Sequence, residues 1–340
     1  MLSRTADHLF WMSRYTERAE NMARLLDVNF QSALLPQSAA AAQQGWEGML
    51  RICELLPAYQ EQYGEVQPKT VLQFMVRDPN NPSSIVSCLR SARENARAVR
   101  GVLTTEVWET QNQTWIELKR MLQSHHIEQE PGEFFEWVKF RSHLSRGVAI
   151  GTMLQDEAFH FFRIGTFLER ADNTARLLDV KFHAIENPFS GLPQGLGQAA
   201  EKEAATDADQ EGAQANLDFY HWSAILRSVS AFEVYRKVYR DEITPERVAE
   251  LMILRPDMPR SLLACMNEVL SNLRAVRNAG SDETERLAGK LCSSLQFARI
   301  DEILSSGLHV FLVHFLDRVN HLGTRISQNF LLPAPVPAPE

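Results

Sequence analysis

Apolar residues recur every three to four positions through almost the whole chain, and neither an alternating strand pattern nor an Asn-Gly hairpin signal interrupts them. The pattern predicts an all-α protein. Helices are expected over about 5–32, from about 46 onward, and after Pro68 as far as the turn at 78–82. A cap at Ser83 or Ser84 opens the next, to about 102, followed by helices over about 105–124 and from Pro131 to about 151. The Ala/Gln run at 38–45 reads as a connection. Further on, Thr244-Pro245-Glu246 supplies an N-cap, a proline at the first helical position and an acid in the first turn.

One helical pattern occurs twice. His8 to Phe30 returns as His160 to Phe182 with thirteen of twenty-three positions identical at an offset of 152, where unrelated segments of average composition would share about one or two. A second match, at an offset of 177, pairs residues 71–100 with 248–277, and eleven of those thirty positions are identical. The difference in offset places an insertion between Phe182 and Trp222, where residues of about 190–216 hold few large apolar side chains and read as a flexible linker. The expected architecture is an internally duplicated helical bundle with two pseudo-twofold-related halves sharing one core. The first repeat covers 1–152, the second 153–330, and a proline-rich tail covers 331–340.

Composition narrows the function classes. A content of 44% hydrophobic residues fills a substantial core, and four widely spaced cysteines without a CxxC pair read as reduced thiols. A net charge of -8 argues against nucleic acid. No apolar run reaches the length of about 20 residues that spans a bilayer, and the N-terminus lacks a signal-peptide pattern, so nothing is expected to be removed there. The expectation is a soluble, cytoplasmic protein with no membrane contact. Only seven of the 35 cations are lysine. That bias fits a GC-rich genome, and it also fits guanidinium forks that hold carboxylates or phosphates.

On a helical wheel of about 100° per residue, Arg14, Glu17, Arg18 and Asn21 share one face with apolar Phe10, Leu25 and Val28 above and below them. Glu169, Arg170 and Asn173 repeat the patch. Buried charges need partners, and adjacent helix residues do not face each other, so Glu17 is expected on Arg170 and Glu169 on Arg18 in a reciprocal cluster. Such a cluster either fixes the register of the two halves or lines a cavity for an anionic ligand. Glu20 with Arg24, and Asp172 with Arg176, stand four residues apart and read as surface salt bridges. His8 and His160 fall among apolar positions, as core histidines donating one ring nitrogen or as catalytic bases. Neither a metal-ligand spacing nor a nucleotide or nucleophile motif is present, so no metal, no cofactor and no catalytic residue is assigned.

The stretch LSRTADHLFWMSRYTERAENMARLLDV resembles the Alpha-E family, bacterial all-helical proteins with a Glu-Arg motif, matched here by Glu17-Arg18 and Glu169-Arg170. The opening Leu2-Ser3-Arg4, the pair Phe10-Trp11 and Arg14-Tyr15 also fit, and the resemblance covers nearly the full chain. The second copy departs from it, with Thr166 in the place of Arg14. The resemblance implies company with ATP-grasp-type amide ligases and transglutaminase-like peptidases in making or modifying peptides. Three roles follow: a non-catalytic scaffold or partner subunit of such a ligase; an enzyme or binding subunit that holds a peptide or amino-acid carboxylate; or a helical module for homo-oligomers.

Overall fold

Two long helices carry the fold, α1 (Ser3–Ala33) and α9 (Glu157–Glu186), in a computed structural model that describes residues 1–34, 39–124, 126–186 and 222–331. Neither proline nor glycine interrupts α1, so its backbone hydrogen bonds run unbroken over 31 residues. Between the long helices lie α2 (Ala39–Ile52), α3 (Leu56–Tyr63), α4 (Pro68–Arg77), α5 (Ile85–Ala98), α6 (Thr105–Gln123), the single turn α7 (His126–Gln129) and α8 (Pro131–Thr152). After the second come α10 (Phe232–Tyr239), α11 (Pro245–Leu254), α12 (Leu262–Ala275), α13 (Asp282–Gln296), α14 (Ile300–Ser306) and α15 (Leu308–Phe330). There is no strand among the described residues.

α1 and α9 pack along each other, α5 and α8 cover α1, and α12 and α15 cover α9. The crossing of the long helices is set by Gly165, where an added Cβ would overlap the Phe10 carbonyl oxygen and Ser13 Oγ of α1. The buried apolar side chains, from Leu9 and Leu26 through Leu178 to Leu312 and Ile326, form one continuous cluster across both halves.

Residues related by the sequence offsets meet matching surroundings. His8 Nδ1 lies 2.8 Å from Asn95 Oδ1, and His160 Nδ1 lies 2.8 Å from Asn272 Oδ1. Ser84 caps α5 by accepting from Ser87 N, and Ser261 caps α12 by accepting from Ala264 N. The hydroxyls of Tyr59 and Tyr235 donate to Glu65 O and Glu242 O. The Cys88 and Cys265 thiols point at Pro82 O and Pro259 O, and burial pushes both up to about 12.

Two sequence expectations about elements change. The Ala/Gln run read as a connection is helical from Ala39 onward, because alanine and glutamine are strong helix formers and the run continues straight into the Trp46 helix. The helix α3, with no expectation behind it, is anchored by fully buried Tyr59. The expected insertion at about 190–216 lies outside the described residues, as does the expected tail beyond Leu331.

Candidate functional site

The Glu-Arg pairs of the two long helices engage each other. Arg170 donates to Glu17 through Nε (2.8 Å to Oε1) and Nη2 (2.9 Å to Oε2). Reciprocally, Arg18 donates to Glu169 through Nε (2.5 Å to Oε1) and Nη2 (3.0 Å to Oε2). Both are side-on, two-bond forks, the geometry in which a guanidinium holds a carboxylate most firmly. Neither glutamate could take the arginine beside it in sequence, because neighbours on a helix point about 100° apart.

Each pair then acquires different company. Glu169 also accepts from Arg14 Nε at 2.7 Å. Burial would push its carboxyl up, but Arg14 and Arg18 outweigh that and hold it down at about 2. Glu17 accepts in addition from Arg260 Nη1 (3.0 Å) and Arg146 Nη1 (2.9 Å). Next to it, fully buried Glu20 accepts from Arg24 Nε (2.9 Å), Arg260 Nη2 (2.5 Å), Ser142 Oγ (2.7 Å) and Arg146. Burial again raises these two carboxyls, and the surrounding guanidiniums more than offset it, so both sit below the ordinary carboxylate range. Arg260 is pulled down to about 10, first by burial, against the raising effect of Glu20 and Glu17 and with further lowering from Arg170 and Arg24.

The remaining sequence candidates divide. Asn21 is buried and accepts from Arg260 Nη1 at 3.1 Å, whereas Asn173 is half-buried and takes no part in either cluster. The Glu20–Arg24 pair is not a surface bridge, because α8 and the loop before α12 close over it and leave Arg24 only 7% exposed. Arg176 does pair with Asp172 at 2.8 Å, half-buried, and reaches Glu54 besides. Asp27, off the sequence patch, is buried and bonded by Lys139 Nζ at 2.7 Å. His8 and His160 lie near the N-terminal ends of the long helices, each with Nδ1 at 2.8 Å from the side-chain oxygen of its asparagine.

Sequence reasoning missed Arg146, Arg260 and the burial of Glu20. Arg260 stands where the first repeat has Ser83, so the duplication itself hid it. For Arg146 a signal existed: Ser142 and Ser145 place polar groups on the inner face of α8, which marks a polar partner across from it.

Acid should expose the clusters. Glu169 titrates near 2 in the folded chain and near 4.5 when unfolded, so between those values the unfolded state binds more protons and stability falls as pH falls. The expected result is a melting temperature that carries this group's full contribution, independent of pH, above about pH 5 and declines steeply from about pH 4.5 toward 2. A Glu169→Gln variant should show a shallower decline in the same scan.

The Alpha-E family model, described as a predicted alpha-helical domain with a conserved ER motif, matches residues 1–331. An uncharacterised protein of Mycobacterium bovis is 25% identical over 342 residues, covering 92% of this chain and 35% of its own length. An uncharacterised protein of Mycobacterium tuberculosis strain H37Rv is 24% identical over the same length, with the same coverage of both chains. The chain thus spans about a third of these relatives. No solved structure matches it.

Proposed function

The chain belongs to the Alpha-E family, and from that premise we propose that it works as a non-catalytic helical scaffold or partner subunit whose Glu-Arg motif fixes its shape. The observation that carries this reading is the mutual saturation of the motif: both arginine forks are filled by the glutamates of the opposite long helix. A guanidinium so engaged cannot offer that same fork edge to a substrate carboxylate. The length of the relatives supports it too, since a region equivalent to this chain is one part of a much longer polypeptide there. The working counterpart in this reading is an ATP-grasp-type amide ligase, with a transglutaminase-like peptidase, in the synthesis or modification of peptides.

The test is co-purification of the tagged chain with the ligase and peptidase, combined with melting of Arg170→Lys. Lysine keeps the charge but loses the fork. The expected result is recovery of a ligase by the wild type, and a melting temperature lowered in Arg170→Lys with or without added ligand. An unchanged melt, or no ligase recovered, counts against the scaffold.

A second reading, a binding subunit for an amino-acid or peptide carboxylate, rests on Arg14. It lines a cleft of about 240 Å³ with Trp11, Asn320 and Thr324, and its guanidinium lies 4.9 Å from the Trp11 ring. Stabilisation of the same protein by N-acetyl amino acids would favour that reading.

A further inference from the structure

The helices α8, on α1, and α15, on α9, correspond at the same offset of 177 as the segments before them. Their buried positions coincide: Ser142, Ser145 and Ala149 of α8 stand where α15 has Val319, Leu322 and Ile326. In this register Arg146 corresponds to Gly323, just as Glu17 and Glu20 of α1 correspond to Glu169 and Asp172 of α9. The first half sends a guanidinium from α8 between its two carboxylates, to Glu17 Oε2 at 2.9 Å and to Glu20. The second half sends nothing from α15, because Gly323 has no side chain. A cleft of about 240 Å³ lies there instead, with Gly323 and Asp172 in its wall beside Arg14, Asn320 and Thr324.

The ionic partners on the two sides correspond except at this point. Glu17 and Glu20 face the guanidiniums of Arg24, Arg146, Arg170 and Arg260. Glu169 and Asp172 face those of Arg14, Arg18 and Arg176. Arg18 repeats Arg170, Arg176 repeats Arg24, and Arg14 gives Glu169 the further guanidinium that Arg260 gives Glu17. Arg146 is then the cation without a counterpart among the described residues. Asp172 keeps 18% of its side chain exposed, against 0% for Glu20. Arg176 grips it through Nε (2.8 Å) and Nη2 (3.1 Å), but a carboxylate has about four acceptor sites, and Glu20 alone serves several guanidiniums. The same cleft also holds donors. Arg14 gives Nε to Glu169, and neither of its Nη nitrogens hydrogen-bonds another described residue. Glu169 and Asp172 stand three residues apart on one face of α9, so the place for a cation and the open Nη donors adjoin.

We propose that this cleft binds a free α-amino acid, its ammonium against Asp172 in the place that Arg146 holds in the first half, and its carboxylate on the Nη nitrogens of Arg14. This rests on the binding-subunit reading and narrows its ligand. An α-amino acid carries both charges on neighbouring atoms, as the adjoining groups require. An N-blocked amino acid lacks the cation, and an amide lacks the anion that the guanidinium holds best.

The test uses the full chain. Thermal-shift titration with the standard L-α-amino acids identifies the one that stabilises most, and calorimetry compares it with its N-acetyl derivative and its amide. The free amino acid should bind more tightly than either by about tenfold or more, the scale of one hydrogen bond to a charged group. Gly323→Arg supplies the guanidinium in cis and should weaken binding by a similar factor. A Cβ at this position meets only Leu168 Cδ2, at 3.5 Å, an ordinary contact, so the variant should fold. Asp172→Asn gives an independent reading: it should erase the preference for the free amino acid over the N-acetyl form while leaving the N-acetyl affinity unchanged, a split that a merely structural role would not produce. Equal affinity for the free form and either derivative, binding of no amino acid, wild-type affinity in Gly323→Arg, or an undiminished preference in Asp172→Asn overturns the proposal. The failures are distinguishable. N-acetyl derivatives bound as well as free amino acids keep the carboxylate reading and sink this one, whereas binding of neither form sinks both.

Discussion

Glu17→Ala is expected to cost about 3–5 kcal/mol of unfolding free energy, the range for removing one member of a buried ion pair. The alanine deletes the acceptor for Arg170, Arg260 and Arg146 together. Glu20 is then the single carboxylate against four buried or half-buried guanidiniums, and most of the cost is the charge left without a partner. Glu169→Ala is expected to cost less, about 2 kcal/mol, on the scale of hydrogen bonds to charged groups. Its partners Arg14 and Arg18 are 18% and 23% exposed and have a short path to water. Urea denaturation of the two variants checks the order. Equal losses would mean that the two clusters are energetically alike, and that the additional guanidiniums around Glu17 carry no weight. The double variant Glu17→Ala, Arg170→Ala should lose less than the sum of the two single changes, since the pair shares its interaction.

Gly165→Ala is the second large effect expected. The new Cβ would overlap the backbone carbonyl oxygen of Phe10 and the hydroxyl of Ser13, which already donates to that same carbonyl at 2.9 Å. The serine is able to turn away, but the carbonyl belongs to the body of α1 and moves only with the whole helix. Relief therefore separates α1 from α9 and lengthens the ion pairs that join them, so the loss should reach about 3 kcal/mol, the upper part of the range for overpacking. Gly165→Val should prevent folding. Gly289→Ala is the control: its Cβ would meet nothing within 4 Å on α13, and the change should stabilise by up to about 1 kcal/mol. A Gly165→Ala variant as stable as the wild type would show that the crossing has slack.

Most of the helices were legible because their signals are local. Ser84 and Thr244 cap as their positions imply, and apolar spacing marks the faces the helices bury. Where the chain lacked a local stop, as in the Ala/Gln run before Trp46, a helix was mistaken for a connection. The pairing of Glu17 with Arg170 and Glu169 with Arg18 was legible for a different reason. Two copies of one charged patch constrain each other, and helix geometry denies each glutamate its sequence neighbour.

The sequence by itself determined the all-helical class, the two long helices, and the need of each buried charge for a partner in the other copy, since periodicity and charge burial are properties of single segments. Thr166 in the place of Arg14 already marks the copies as unequal, but only the tertiary structure decided how the two clusters differ. Arg146 arrives from α8 and Arg260 from the loop before α12, and neither contribution is repeated in the other half. Likewise, Glu20–Arg24 looks like a surface bridge on the wheel of α1 and becomes a buried one when other helices close over it. Whether a polar residue is a surface decoration or part of a charged core depends on which distant segments cover it. No local pattern encodes that.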